Sequence, residues 1–129
     1  MKLVLVAACA LIDPDGRILL AQRPPGRSMA GLWEFPGGKL NALEDLTSAA
    51  RRELTEELGV SAVHVGDTLF SQQDPGSPFL IHFVAVVIDG SPQALEHAAL
   101  TWASRHELEE LPLAPTDRLF VRAFFEEKD

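Results

Sequence analysis

The sequence predicts an α+β fold, in which helices pack on both sides of a mixed β-sheet. Short apolar runs separated by proline, glycine and aspartate predict several strands joined by turns. Helix patterns occur once in the middle of the chain and twice near its C-terminal end. With 129 residues, 47% of them hydrophobic, the chain is long enough for one domain with a true core. We therefore expect a single domain over residues 1–129.

Strands are expected where apolar residues run between turn signals. The sequence Asp13-Pro14-Asp15-Gly16 is a turn signal, and we expect it to join the first two strands as a hairpin. Proline, glycine and polar residues predict loops at residues 23–31 and 71–78. The expected strands cover residues 2–12, 17–22, 79–88 and 100–103, with a short apolar segment at 32–35 and mixed strand and turn at 60–70.

Three helices are expected from their capping signals. Asp45 is a favourable N-cap for a helix over residues 46–58, and Gly59 supplies the usual stop. Ser104 caps a short helix that ends at Glu110. Thr116 or Asp117 is expected to cap a C-terminal helix that extends to about residue 127.

The composition argues against several classes of protein. Eleven basic and nineteen acidic side chains give a net charge of −8, which disfavours binding to nucleic acid or to an anionic membrane. The one cysteine, Cys9, excludes an internal disulfide and lies in an apolar run, where a buried, inert thiol is expected. The first apolar run is too short to span a membrane and lacks a clear cleavage site. We expect a cytoplasmic protein, monomeric or homodimeric.

Three carboxylates crowd into the central predicted helix. With about 100° of rotation per residue, Glu57 lies about +40° and Glu56 about −60° from Glu53. The apolar stripe of the helix overlaps Glu53 and Glu57, whereas only Glu56 clears it. A surface pair with Arg52 accounts for Glu56 alone. Carboxylates against a buried face need cations, and Mg²⁺ or Mn²⁺ suits oxygen ligands at this spacing, although a solvated charged face is the alternative.

The same segment resembles the Nudix box, whose pattern is G-x5-E-x7-R-E-U-x-E-E-x-G-U with U an aliphatic residue. Every fixed position is filled, by Gly38, Glu44, Arg52, Glu53, Leu54, Glu56, Glu57, Gly59 and Val60. The motif at residues 31–39, Gly-Leu-Trp-Glu-Phe-Pro-Gly-Gly-Lys, resembles the MutT-like branch, whose members sanitise nucleotide pools and so serve DNA repair. One departure is Leu43, which stands where the box turn usually carries glycine.

The resemblance implies a Nudix fold, an α/β/α sandwich around a mixed sheet, and Mg²⁺-dependent hydrolysis of nucleoside triphosphates to monophosphate and pyrophosphate. The chemistry agrees, because attack of water on an anionic phosphorus needs charge neutralisation, an oriented water and a base. The first candidate substrate is 8-oxo-dGTP, and modified pyrimidine triphosphates are the second. The alternatives are hydrolysis of ADP-ribose or another nucleotide sugar, and a sensor that binds a nucleotide without cleaving it.

The resemblance also implies roles for single residues. Glu96, six residues before Trp102, would be a further metal ligand or the general base, and Glu53 is the rival base. His97 follows Glu96 and is a further candidate for the site, although the histidines of the chain are not paired at ligand spacing. In the implied metal site, Glu53, Glu56 and Glu57 bind the metal near the carbonyl of Gly37 or Gly38, Glu44 supports them, and Arg52 orients the carboxylates.

The nucleotide is expected to meet residues outside the box. Arg23 and Lys39 resemble phosphate-contacting positions, where two cations would offset the net charge. Asp117 resembles the position that reads the base edge, with the helix cap as its other interpretation. An apolar slot for the base is expected from Phe35, Leu80 and Phe79, for which core packing is the alternative.

Overall fold

The computed structural model describes residues 2–126, and within them the chain forms seven strands and three helices. The strands are β1 (Val4–Leu11), β2 (Ile18–Gln22), β3 (Trp33–Glu34), β4 (Gly37–Lys39), β5 (Ser61–Gln73), β6 (Phe79–Asp89) and β7 (Ala99–Ala103). The helices are α1 (Leu46–Leu58), α2 (Arg105–Glu110) and α3 (Pro115–Glu126). The predicted end of the last helix, near residue 127, lies outside the described residues.

The strands form two sheets of unequal size. The larger has the order β4-β1-β6-β5, in which β1 and β6 run parallel and the other neighbours are antiparallel. The smaller has the order β3-β2-β7 and is antiparallel throughout. The predicted mixed α+β architecture is thus confirmed.

Strand β1 lies between two hydrophobic cores because its side chains alternate. Ala8 and Ala10 face the core that contains Phe83 and Phe120, on the side of α2 and α3. Cys9 and Leu11 face the other core, which the apolar stripe of α1 completes. Helices therefore cover both sides, as predicted. Cys9 is fully buried, and this burial raises the pKa of its thiol, as expected for an inert cysteine.

Helix α1 begins and ends where its capping residues predict. The carboxylate of Asp45 accepts a hydrogen bond from the Ser48 N–H at 2.8 Å, and Gly59 adopts the left-handed conformation with φ 68°. Leu54 and Leu58 are fully buried on the apolar stripe. Helix α2 carries the predicted Ser104 cap, which forms a complete capping box with Glu107. No helix within residues 2–126 is long and apolar enough to span a bilayer.

The predicted hairpin is wrong, although its turn is present. The Asp13 N–H donates to the carbonyl of Arg17 at 2.9 Å, and an isolated bridge joins Ile12 to Ile18. Beyond this bridge β1 and β2 diverge into different sheets. The reason is that β1 pairs with β4 along one edge and with β6 along the other. Because both of its faces are buried, it lies inside the larger sheet.

Two further differences concern strands. Residues 61–70 and the start of the predicted loop belong to one long strand, β5, whose register against β6 shifts at irregularities that include Val65 and Thr68. Strand β4 lies at the end of the motif at residues 31–39, where the sequence predicted no strand. It pairs with β1 through Ala8–Gly37, Ala7–Gly38 and Val6–Lys39.

The predicted cap of the last helix is also wrong. Helix α3 already begins at Pro115, a residue well suited to the first helical position, so Thr116 and Asp117 lie within its first turn. Both are buried and bonded elsewhere: Thr116 Oγ1 donates to Asp74 Oδ1 at 2.6 Å, and Asp117 Oδ2 accepts from the Phe35 N–H at 2.8 Å. Their side chains are therefore tied to distant segments.

Candidate active site

A cleft of about 610 Å³ opens where β1, β4, α1, the 23–29 loop and the start of α3 meet. Acidic residues from α1 and the β6–β7 loop line one part of it, and basic residues lie near them. Of the residues predicted for the site, those that line the cleft are Arg23, Phe35, Gly37, Gly38, Lys39, Glu53, Glu57, Phe79, Glu96, His97 and Asp117. Sequence positions more than 90 apart thus meet in one cavity.

Glu57 is the most buried carboxylate of the central helix, with 3% of its surface exposed. Both of its oxygens accept from the Gly37 N–H at 3.2 Å, which ties α1 to β4. Burial raises the pKa of Glu57 to about 8, and the negative charges of Glu53, Glu34 and Glu96 contribute in the same direction, while the Gly37 hydrogen bond opposes them. The surroundings of Glu57 therefore disfavour its charged form.

Glu53 approaches the backbone at Gly38 so closely that any side chain there would have to displace its carboxylate. A Cβ added to Gly38 would lie 2.5 Å from Glu53 Oε1. A Cβ on Gly37, where φ is 147°, would fall on the carbonyl oxygen of Ala7. The two glycines therefore allow β4 to lie against both β1 and the carboxylates of α1.

Arg52 holds the carboxylates of the central helix in place. Its guanidinium donates from Nε and Nη2 to the two oxygens of Glu44, each at 2.8 Å, and from Nη1 to Glu53 Oε1 at 2.8 Å. Arg52 in turn keeps the pKa of Glu44 at about 2. Glu56 lies 3.3 Å from Nη1, at the edge of this group, with a half-exposed side chain outside the cleft lining. The orientation of Glu53 thus depends on Arg52.

Glu96 reaches the cleft because the β6–β7 loop is pinned to its neighbours. The Gln93 N–H donates to the Leu58 carbonyl at 2.9 Å, and the Leu95 N–H donates to the Glu57 carbonyl at 3.1 Å. These bonds bring Glu96 to the C-terminal part of α1, where its charge contributes to the raised pKa of Glu57. The predicted partner from outside the box therefore lies beside the box.

The basic residues of the cleft are held by different neighbours. Arg23 bonds to Glu34 Oε1 through Nε and Nη2, each at 2.9 Å. The second oxygen of Glu34 lies 3.0 Å from His97 Nε2. Lys39 extends over the ring of Phe79, with Nζ 4.9 Å from its centroid. Arg23 and Lys39 both therefore border the cavity near the carboxylates.

The predicted base-binding residues lie in different surroundings. Phe35 is buried against Phe83 and Phe120 in edge-to-face contacts, while its backbone N–H binds Asp117. Burial raises the pKa of Asp117 to about 7, against the hydrogen bond from Phe35. Leu80 lies outside the cleft lining, because alternation along β6 turns Phe79 and Ile81 toward the cavity instead.

The family model described as NUDIX domain matches residues 2–124. The chain belongs to the Nudix family. It is 46% identical over 127 residues to the CTP pyrophosphohydrolase of Escherichia coli strain K12, across 96% of this chain and 93% of that protein. It is 30% identical over 128 residues to the 8-oxo-dGTP diphosphatase of Haemophilus influenzae, across 98% and 94%. The crystal structure of a MutT Nudix hydrolase from Burkholderia pseudomallei matches with a TM-score of 0.81 and 29% identity, across 95% and 98%.

The Nudix fold predicted from the box and the MutT-like branch predicted from residues 31–39 are confirmed. The protein is a Nudix hydrolase that acts on phosphoric anhydride bonds of nucleotide-type substrates, and hydrolases of this family generally use divalent metal ions. The roles of the individual site residues stay predictions.

The chemistry of the Nudix site fits a divalent cation. Glu57 is buried near other carboxylates, and burial together with their charges raises its pKa. A cation bound beside Glu57 would offset both effects. The glycine carbonyls and carboxylates are the hard oxygen ligands that Mg²⁺ and Mn²⁺ prefer. Among residues 2–126, however, no three His, Cys, Asp or Glu side chains already converge as ligands. Glu53 is instead bonded to Arg52, so the complete ligand set stays a prediction.

Sequence reasoning gave no role to Glu34 in this Nudix site and no partner to His97. Glu34 was quoted only within the MutT-like motif, yet its carboxylate bridges Arg23 and His97. The available signal was a carboxylate between two aromatic residues, Trp33 and Phe35, in a short strand. His97 was recognised as a neighbour of Glu96, but its bond to Glu34 spans 63 residues and left no local pattern.

Proposed function

We propose that the protein is a Mg²⁺-dependent pyrophosphohydrolase that cleaves nucleoside triphosphates to monophosphate and pyrophosphate. The observation that carries this proposal is the pair of carboxylates at Glu53 and Glu57, of which Glu57 is buried, in the same cleft as Arg23 and Lys39. Carboxylates that lack positive charge would hold the cation, and the two basic side chains would take phosphate oxygens. The cation supplies charge neutralisation at the phosphate groups.

The reaction needs one base and an oriented water. As the oxygen of water forms its bond to phosphorus, the bond from phosphorus to the bridging oxygen of the leaving pyrophosphate breaks, and the base takes the proton from water. Glu53 and Glu96 are both candidates for the base because both line the cleft. Arg52 holds the Glu53 carboxylate in one orientation, which favours a fixed role for that group.

As the preferred substrates we propose cytosine nucleotides first and 8-oxo-dGTP second. The similarity to the CTP pyrophosphohydrolase extends over 96% of this chain and supports the first choice, and the similarity to the 8-oxo-dGTP diphosphatase supports the second. Asp117 has a pKa near 7, so its carboxyl can donate or accept a hydrogen bond at neutral pH. Cytosine presents a ring-nitrogen acceptor beside an amino donor, which matches that capacity.

The proposal is tested by analysing the products of a nucleotide panel with Mg²⁺. The panel contains CTP, dCTP, 8-oxo-dGTP and ADP-ribose, and the variants are Glu53→Gln and Glu96→Gln. We expect CTP to yield CMP and pyrophosphate, EDTA to abolish the reaction, and the variant that lacks the base to lose about 10²–10⁴-fold in kcat. Glu109→Gln, an exposed glutamate on α2, is the matched control and should keep the wild-type rate.

The outcomes separate the alternatives. ADP-ribose cleavage without cleavage of any triphosphate would support a nucleotide-sugar hydrolase. Nucleotide binding without product on the whole panel would support a sensor. Asp117→Ala should change the ratio of kcat/KM between CTP and 8-oxo-dGTP. An unchanged ratio would remove Asp117 from base recognition and leave the pyrophosphohydrolase proposal intact.

A further inference from the structure

We propose that His97 is a positioning residue that holds Glu34 and, through Glu34, the guanidinium of Arg23 at the wall of the cleft. The proposal rests on the proposed function, in which Arg23 contacts the phosphate groups of the nucleotide. It concerns a side chain beyond the Nudix box, from the loop between β6 and β7.

The connection runs through three side chains from three segments. His97 Nε2 lies 3.0 Å from Glu34 Oε2, and Arg23 donates from Nε to Glu34 Oε1 at 2.9 Å. Glu34 is the central member because each of its oxygens serves a different partner. All three residues line the cleft that contains Glu53 and Glu57. The arrangement therefore links the β6–β7 loop directly to a basic residue of the site.

The burial of His97 determines which ring nitrogen carries hydrogen. The His97 side chain is 7% exposed, and its Nδ1 is buried without a hydrogen-bond partner among the described residues. Burying an N–H group without an acceptor carries a free-energy penalty. We therefore assign Nδ1 as the ring nitrogen without hydrogen. Nε2–H then donates to Glu34. This direction matters, since a carboxylate can only accept.

A purely structural role explains this arrangement poorly. An apolar side chain would fill the same space without burying the unpartnered Nδ1. The Nε2–H donor accounts for a histidine at this position, because this group donates the hydrogen bond to Glu34 Oε2. Its loop is itself anchored, as the Ala98 N–H donates to the Gln22 carbonyl at 2.9 Å. His97 is thus a fixed point for Glu34.

Arg23 needs such support because its side chain has many rotamers and lies at the start of the 23–31 loop. Arg23 Nη1 also donates to the Ser28 carbonyl at 3.0 Å, but Ser28 belongs to the same loop. Glu34 belongs to β3, which pairs with β2, so within residues 2–126 the contacts with Glu34 are those that fix the Arg23 guanidinium relative to the sheet. Without His97, Glu34 would lose one of its two partners and could rotate. Arg23 would then sample positions away from the phosphates.

The test compares His97→Leu, His97→Gln and His97→Asn in steady-state kinetics with CTP. Glutamine can place an amide donor near the position of Nε2, whereas asparagine is too short to reach Glu34. We expect His97→Leu and His97→Asn to raise KM about tenfold, the size of one lost hydrogen bond to a charged group, with kcat within about threefold. His97→Gln should restore most of the affinity. His106→Leu, which removes an exposed histidine–glutamate pair on α2, is the matched control.

Two further readouts address the route through Arg23. In an Arg23→Ala background, His97→Leu should produce no further increase in KM, because both changes remove the same contact. The ¹⁵N–¹H NMR signal of Arg23 Nε–H should be sharp in the wild type and in His97→Gln, and broadened in His97→Leu. Additive effects on KM, or an Arg23 signal that is the same in all variants, would overturn the proposal.

The two proposals fail in different ways. If the wild type cleaves CTP but KM is unchanged in His97→Leu and His97→Asn, the positioning role of His97 is refuted and the proposed function stands. If the wild type cleaves no nucleotide, the proposed function fails and the NMR signal of Arg23 decides the positioning role alone. A signal lost in His97→Leu and retained in His97→Gln would support it.

Discussion

Replacing Asp117 by asparagine should change how the stability of the protein depends on pH. Asp117 is buried in the first turn of α3, and its Oδ2 accepts a hydrogen bond from the Phe35 N–H at 2.8 Å. Burial raises its pKa from 3.8 to about 7 in the folded protein. Asparagine keeps a carbonyl oxygen for the Phe35 N–H and carries no charge at any pH, so the substitution removes the titration while keeping the acceptor.

The sign follows from proton binding. Between pH 4 and pH 7 the folded protein holds the Asp117 proton while the unfolded chain has released it, so raising the pH destabilises the folded state. The two pKa values differ by about three pH units, which corresponds to about 4 kcal/mol over the whole range. Between pH 5 and pH 7 the wild type should lose about 2–3 kcal/mol through this group. That part of the loss should be absent in Asp117→Asn.

The measurement is urea unfolding of both proteins from pH 5 to pH 8, in EDTA and without nucleotide. Glu57, whose pKa is raised to about 8, destabilises the wild type in the same direction. Because Glu57 is present in both proteins, its effect cancels in the difference between the two curves. Asp89→Asn, an exposed aspartate at the end of β6, should keep the pH dependence of the wild type. Parallel curves for wild type and Asp117→Asn would refute the assignment of a raised pKa to Asp117.

Three other substitutions test the fold and the site. Leu43 is fully exposed and has φ 66°, a backbone conformation that glycine adopts without strain. Leu43→Gly should therefore raise the free energy of unfolding in urea by about 1 kcal/mol, whereas Ala42→Gly should lower it. Equal effects of the two substitutions would contradict strain at residue 43. Gly38→Ala should displace Glu53 and lower kcat about 10²-fold with little change in melting temperature. A wild-type kcat would show that the Glu53 carboxylate can move without loss of activity. Phe120→Ala should lower the free energy of unfolding in urea by about 3–5 kcal/mol, because Phe120 is 1% exposed and its ring centroid lies 4.4 Å from that of Phe83. A decrease below about 1 kcal/mol would mean that neighbouring side chains fill the cavity.

Local patterns in the sequence were sufficient for helix α1 and for its chemistry. Asp45 and Gly59 mark both of its ends because caps act on backbone groups within a few residues. The same helical period placed Glu53 and Glu57 near the apolar stripe, and Glu57 is indeed buried while Glu56 is half-exposed. The Nudix box could be recognised for the same reason, since it is a short continuous motif.

The bonds that distinguish this site are not local. Asp117 was predicted as a helix cap because a carboxylate near a helix start usually serves the next turn. Its actual partner, the Phe35 N–H, is 82 residues away. The pairing of β4 with β1 and the separation of β1 from β2 likewise depend on partners that approach only in the folded chain.

The sequence by itself determined the helix that carries the carboxylates, the family and the general chemistry, because these depend on spacing within about twenty residues. The tertiary structure decided which groups surround that helix. It brought Glu96 beside Glu57, joined His97 to Glu34, and buried Asp117 against Phe35. The physical reason is that burial and long-range hydrogen bonds set the charge and orientation of these groups, and neither is encoded in the spacing of neighbouring residues.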